Sequence, residues 1–397
     1  MIPKYLTDRF NGGNFHRHRS PLIFHLRIDG GPDLDRDLRL DLCRGLALWC
    51  VFLDHIPNNI FSWVTLRHYG FSDATEIFMF VSGVTCALSY SDVYARYGWA
   101  SVFAHTLLRG WEIYVAFLIL TIALVMIVYA SGSDRLVDEV NVRVLLQNPG
   151  AALINAAILT YRPVNTDILP TFVLFHLSFA PVLWGILKFP AASLLISSSI
   201  YVIVQLYGWN LPEWPTNQWY FNPLAWQFLV FLGAWWAIRG YRTFWPRIVS
   251  WPIVVLAIAY ICFGLMIALS WESEKFAFAL PSYIEHLIYP IDKPNLDPLR
   301  LLHFLAITIV VARFVPRNWR GFAVVGVKAA IRCGEHSLET YCAAVVLSLL
   351  ADLYLKEVSN SIAAQLVVSA VGVAVLILFA ACVTWVSKRS RRHPKLL

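Results

Sequence analysis

Apolar runs close to 20 residues long recur down this chain, at roughly 40–59, 73–92, 107–130, 167–187, 191–208, 222–239, 249–270, 300–316, 336–356 and 362–387. A helical run of that length crosses the hydrocarbon core of a bilayer, because a helix rises about 1.5 Å per residue. In lipid the backbone must satisfy its own hydrogen bonds, and a helix does so within one segment. The expectation is an all-α polytopic membrane protein with about ten transmembrane helices. Composition points the same way. Of 397 residues 58% are apolar and 14% charged, where a soluble chain carries about a quarter charged. The 16 tryptophans suit the membrane–water interface. The lipid bilayer is thus an expected partner. The net charge of +7 reads as topology, and no nucleic-acid partner is expected.

Charge alternation sets the orientation. Cations collect in residues 1–37, at Arg96 and Arg109, at Lys188, at Arg239, Arg242 and Arg247, across 313–332 and in the tail. The intervening connections carry Asp134, Asp138, Glu139, Glu272, Glu274, Glu285 and Asp292. By the positive-inside rule both termini face the cytoplasm. Three parts follow: a basic cytoplasmic N-terminal segment (1–37), a transmembrane domain (38–387) and a basic cytoplasmic tail (388–397). Residues 1–37 lack the apolar core and cleavage site of a secretory signal, and an interfacial element is expected near Pro21–Leu26. Loops 131–166, 209–221 and 271–299 then face outward, and long ordered loops are usually functional. Two of them are rich in Trp, Tyr, Pro and Asn, which suits either carbohydrate or an interfacial aromatic belt. The seven cysteines lie scattered, without CxxC or Cys/His spacing, so neither a disulfide nor a metal site is expected.

Ionisable residues inside spans are costly and mark function by default. Arg44 and His55 are eleven positions apart, about three turns, so both project from one helix face about 16 Å apart along its axis. The next run opens with Asp73 and Glu76 and returns at the depth of His55. A carboxylate beside an imidazole fixes its tautomer and raises its basicity. His55 is the candidate general base, with Glu76 or Asp73 orienting it and Asp54 adjacent. Arg67 and His68, in the hairpin loop, are candidate anion ligands. Arg44 suits phosphate through its fork of donors, or pairs with Asp41 one turn earlier. Ser82-Gly83 is read as a close helix contact. Asp167 is read as a helix N-cap or as a partner of Arg162 or a sugar. Asn222 and Gln227 are polar groups at a span end. His176 and His303 are read as hydrogen-bonded structural residues.

Asp41-Leu42-Cys43-Arg44-Gly45-Leu46-Ala47, the arginine–ten residues–histidine spacing, and Glu76-Ile77-Phe78-Met79-Phe80-Val81-Ser82-Gly83 resemble the membrane acyltransferase 3 superfamily. Arg109 fits that superfamily's arginine near the start of the third span. Within it the chain most resembles the OpgC family, which includes the succinyltransferase that modifies osmoregulated periplasmic glucans. The matching stretches are Leu53–Asn59, Arg67–Phe78, Tyr161–Pro170, Asn222–Gln227 and Glu335–Tyr341. The resemblance implies acyl transfer from cytoplasmic acyl-CoA, with succinyl-CoA the expected donor, to a hydroxyl of a periplasmic glucan or other glycan. It implies a multi-pass protein of the bacterial inner membrane. His55, Glu76, Asp73 and Asp54 then serve catalysis. Arg44, Arg109 and Asp41 serve acyl-CoA, while Arg67, Arg162, Asp167, Asn222 and Gln227 serve the acceptor. The competing reading is a transporter or flippase that moves such species without chemistry. That reading lacks the paired interrupted helices of two related halves.

Overall fold

A computed structural model describes residues 37–272 and 288–392. The N-terminal segment up to residue 36, Glu274 and Glu285, and the tail beyond 392 lie outside the described residues.

Helices cover the apolar runs. In chain order they are α1 (Leu38–Asp54), α2 (Ala74–Tyr97), α3 (Trp99–Ser131), the short α4 (Asp134–Glu139), α5 (Arg143–Gln147) and α6 (Pro149–Ala157), then α7 (Ile168–Lys188) and α8 (Pro190–Tyr207). A hairpin of β1 (Pro212–Glu213) and β2 (Asn217–Gln218) follows, a small departure from the all-α expectation. Then come α9 (Pro223–Trp235), α10 (Tyr241–Ile248), α11 (Trp251–Glu272), α12 (Pro298–Phe314), α13 (Val325–Glu335), α14 (Ser337–Glu357) and α15 (Ile362–Arg392).

Among the described residues seven helices are long and apolar enough to cross a membrane: α2, α3, α7, α8, α11, α14 and α15. The architecture is that of an all-α membrane protein. The runs at 40–59, 222–239 and 300–316 yield shorter helices than the length rule implies, of 17, 13 and 17 residues. The first stops at Asp54 because Pro57 and Asn58 follow, and Asn58 takes the left-handed φ of 57°. The second passes into a π-helical turn at Trp236–Gly240.

Glycine decides which helices approach most closely. Gly83 on α2 meets the Val230 carbonyl of α9, and Gly233 on α9 meets the Phe80 carbonyl of α2. Gly45 on α1 faces the Ala330 carbonyl of α13, and Gly334 returns the contact at the Asp41 carbonyl. Any Cβ at these four positions would overlap a backbone oxygen. Without a side chain in the way, dispersion and close packing hold the helices where lipid supplies no hydrophobic drive. The close-packing reading of Ser82-Gly83 matches this geometry.

The buried aromatic and aliphatic core runs through α2, α3, α7 and α9, with Phe117, Leu124, Leu183, Trp226 and Leu229 almost wholly enclosed. The outward faces of α8, α11 and α15 present Leu195, Ile196, Leu256 and Leu378, as a lipid-facing wall requires.

Candidate active site

The end of α1, the starts of α2, α7 and α12, the end of α3 and the hairpin converge on one cavity of about 1400 Å³. Its wall reaches from Asp352 to Tyr341 on α14, eleven residues or about 16 Å along that helix. The 161–167 segment, which is not helical, forms part of that wall, buried at several positions although Val164 stays exposed. Tyr161, Arg162 and Thr166 are almost fully enclosed. Irregular backbone at such depth needs internal partners. Tyr341 donates its hydroxyl to the Asn165 carbonyl at 2.7 Å, and Asn141 donates its amide to the Arg162 carbonyl at 3.2 Å. The Val164 amide donates to the Val140 carbonyl at 3.0 Å.

His55 is the C-cap of α1, and its backbone amide donates to the Val51 carbonyl. Its half-buried ring borders the cavity, and its buried Nδ1 has no hydrogen-bond partner among the described residues. Asp54 beside it accepts from the Thr65 hydroxyl at 2.7 Å, and the Asp54 carbonyl accepts from Arg67 at 3.4 Å. Asp54, Arg67 and His68 all line the cavity. The His68 ring stacks on Trp63 at 4.7 Å.

The expected carboxylate–imidazole pair does not form. Glu76 is fully buried and takes Arg300 Nε at 2.8 Å and Arg300 Nη2 at 2.6 Å. Its other oxygen accepts the Asp73 amide at 2.9 Å, while Asp73 Oδ1 accepts the Thr75 amide at 2.8 Å. Together they form a capping box at the start of α2. Asp73 Oδ2 accepts from Lys293 Nζ at 2.6 Å and from Arg300 Nη2 at 3.1 Å. Burial opposes charge on Asp73, but Lys293 and Arg300 outweigh it and hold the carboxyl well below its usual range. Both acids are drawn to cations from the far end of the chain. Asp73 still borders the cavity with His55, whereas Glu76 sits behind it as an anchor for Arg300.

A second charged wall faces them. Arg162, almost wholly buried, lies 2.8 Å from Glu213 and 3.6 Å from Asp167, with its guanidinium 4.3 Å from the Trp219 ring centre. This ties the hairpin to the buried segment. Asp167 precedes α7 but makes no side-chain capping bond, so the partnership with Arg162 replaces the N-cap reading. Burial pushes the Asp167 carboxyl up to about 6, with Arg162 opposing and Glu213 adding. The folded state therefore holds more protons than the unfolded one between 3.8 and about 6. The stability from this group is full below 3.8 and is lost as pH rises through about 6. Asp167→Asn is expected to flatten the thermal-stability curve across that window. A slope identical to wild type between pH 4 and 7 would show that other groups cause it.

The remaining candidates lie elsewhere. Asn222 is no cavity residue: it caps α9 through the Leu224 amide and donates to the Trp209 carbonyl at 2.6 Å and to Asn295 Oδ1 at 2.7 Å. Gln227 spends its amide on Ser197 of α8, at 2.7 and 3.0 Å. Both were expected at the acceptor, and both instead join elements, because a buried amide must pair with what surrounds it. Arg44 donates to the Thr85 hydroxyl of α2, and Asp41 is buried. Arg109 pairs with Glu112 at 2.7 Å on the exposed side of α3. His176 bonds the Phe172 carbonyl at 2.9 Å, and His303 bonds the Ser72 hydroxyl at 2.8 Å, as structural histidines do.

Lys293, Arg300 and Glu213 escaped the sequence reading. Arg300 carried a signal, a cation in the first turn of an apolar run at the depth of Glu76. Lys293 and Glu213 sit in loops whose course no local pattern reveals.

A helical membrane bundle enclosing a deep cavity, with a histidine and paired charges on its wall, defines an integral membrane protein equipped for polar chemistry. The family model described as OpgC protein matches residues 36–388, and the chain belongs to that family. Membership points to an acyltransferase-type function in glucan modification. No curated protein and no solved structure matches the chain.

Proposed function

We propose that this protein moves an acyl group, succinyl by the family resemblance, from cytoplasmic acyl-CoA to a hydroxyl of a periplasmic glucan or other glycan. The observation that carries the reading is the placement of His55 on the wall of a large cavity that charged residues also line. Arg44 stands on the same helix, eleven residues or about 16 Å towards its other end. That separation suits an extended pantetheine arm, with the CoA phosphates near Arg44 and the thioester near His55. Arg109 and Asp41 lie towards the same end as Arg44 and belong to the donor side of this reading.

The acceptor hydroxyl gives its proton to His55 as its oxygen attacks the thioester carbonyl. The tetrahedral species collapses with cleavage of the C–S bond, and the thiolate leaves and recovers the proton. A base placed this way contributes about 10²–10⁴ in rate. Arg67, Arg162 and Asp167 line the cavity on the acceptor side. Asp73 and Asp54 border it beside His55 and shape the local field. The orientation assigned to the charges puts the cavity mouth outside the bacterial inner membrane and both termini in the cytoplasm.

The test is mass spectrometry of periplasmic glucans from cells carrying the wild-type protein, His55→Ala, or none. Ester substituents present only with wild type are expected, and their mass names the donor. Unsubstituted glucans in all three strains would overturn the glucan assignment. Equal substitution with His55→Ala would remove His55 as the base.

A further inference from the structure

We propose that Lys293 is a catalytic residue of this site, its ammonium stabilising the oxyanion that forms when an acceptor hydroxyl attacks the acyl carbonyl beside His55. The proposal rests on the acyl-transfer reading and adds to it the group that meets the developing negative charge.

Lys293 lies in the segment before α12 and lines the same cavity as His55. Asp73 and Arg67 line that cavity as well. The ammonium has three N–H donors. The described residues take one of them, at Asp73 Oδ2, 2.6 Å away. The side chain keeps 29% of its surface open and lines the cavity, where its Nζ also lies 6.0 Å from the Phe221 ring centre. Burial works against the charge, but Asp73 outweighs it and raises the group above 10.5, so Lys293 is a cation at neutral pH.

The loop that carries it is held from many sides. The Pro294 carbonyl accepts from the Asn222 backbone N–H at 3.2 Å and the Trp226 indole at 3.0 Å, and Asn295 Oδ1 accepts from the Asn222 side chain at 2.7 Å. The Asn295 carbonyl accepts from Gln205 at 2.7 Å, and the Leu296 carbonyl from the Tyr201 hydroxyl at 2.8 Å. A donor fixed before the reaction needs no reorganisation when charge appears, which is the source of its catalytic effect. This also gives Asn222 its place, as a positioning residue that acts through the loop.

In the step itself the hydroxyl oxygen bonds to the carbonyl carbon and His55 takes the proton. The carbonyl π pair moves onto oxygen, where Lys293 meets it. The pair returns as the C–S bond breaks and the thiolate leaves. Arg300 also borders the cavity, with its Nε and Nη2 engaged by Glu76 and Asp73.

The experiment uses the full-length protein in lipid nanodiscs, with acetyl-CoA or succinyl-CoA as donor and glucan extracted from cells lacking the protein as acceptor. Lys293→Gln and Lys293→Met are expected to lower kcat about 100-fold with either donor, while KM stays within about twofold. Lys293→Arg keeps a cation and is expected to recover at least about tenfold over the neutral variants. Two neutral variants guard against one that fails to fold, and thermal unfolding checks each. Wild-type kcat in a folded neutral variant would overturn the proposal. So would a rise in KM confined to succinyl-CoA, which would make Lys293 a reader of the donor carboxylate. Equal kcat for Lys293→Arg and Lys293→Gln would overturn it too. No ester from the wild-type protein would overturn the acyl-transfer reading itself, a result distinct from the others.

Discussion

Glu76→Ala is expected to destabilise the protein by about 3–5 kcal/mol, because it strands a buried guanidinium. Arg300 is 8% exposed and directs Nε and Nη2 to Glu76. Asp73 alone would be left to hold it, at 3.1 Å. The same substitution removes the acceptor of the Asp73 amide and opens the α2 capping box. Thermal unfolding in detergent should show a lower midpoint and a poor yield of folded protein. The double change Glu76→Leu with Arg300→Leu removes both charges and is expected to recover much of the stability, since a buried ion pair seldom outperforms apolar groups of similar volume. If Glu76→Ala unfolded like wild type, the anchoring role would be wrong, and a role beside His55 would return.

The second large effect is expected from a single methyl group. Gly83→Ala puts a carbon into the Val230 carbonyl oxygen, and that contact is backbone on both sides. No rotamer can relieve it, so α2 and α9 must separate, and Gly233 must leave the Phe80 carbonyl with them. A cost of about 3 kcal/mol or more is expected, at the upper end for overpacking. Gly326→Ala is the control. A Cβ there meets nothing within 4 Å, and the position is in the first turn of α13. It is expected to change stability by less than about 1 kcal/mol, and to favour the fold through the unfolded chain. Equal unfolding midpoints for the two variants would refute the glycine account of the α2–α9 contact.

Both effects reach the cavity. The start of α2 carries Asp73, and the loop before α12 carries Lys293, so loosening either helix moves the charges that face His55. Stability and activity are thus expected to fall together for Glu76 and Gly83. For His55 activity should fall with little change in stability, whereas neutralising Lys293 also removes a partner of buried Asp73 and should lower both.

Much of this protein was written in local pattern. Most spans are legible because bilayer thickness sets a minimum length for an apolar helix, and seven described helices meet it, while three of the ten apolar runs yield shorter helices. Arg44 and His55 stand out in the sequence because ionisable residues are costly in an apolar run, and His55 closes the first helix as its C-cap. The family resemblance was legible in motifs, and the OpgC match over 36–388 agrees with it. Charge partners were not legible. Asp73 and Glu76 lie at the right depth to meet His55, and depth is all that a hairpin of spans provides. Which neighbour each acid takes depends on rotation about the helix axis and on what else arrives there. Lys293 and Arg300 arrive from more than 200 positions away, and a cation at ion-pair distance outcompetes a neutral imidazole for a buried carboxylate. Asn222 and Gln227 were displaced for a related reason: burial obliges an amide to pair with the nearest backbone or hydroxyl.

The sequence by itself determined the class of molecule, the course of most of its helices and its family, since each follows from local pattern. Only the tertiary structure decided the cavity, the descent of residues 161–167 into the bundle and the pairing of Asp73 and Glu76 with Lys293 and Arg300. Those features depend on how helices rotate and pack against one another, and that is set by glycine contacts and buried charges between distant segments.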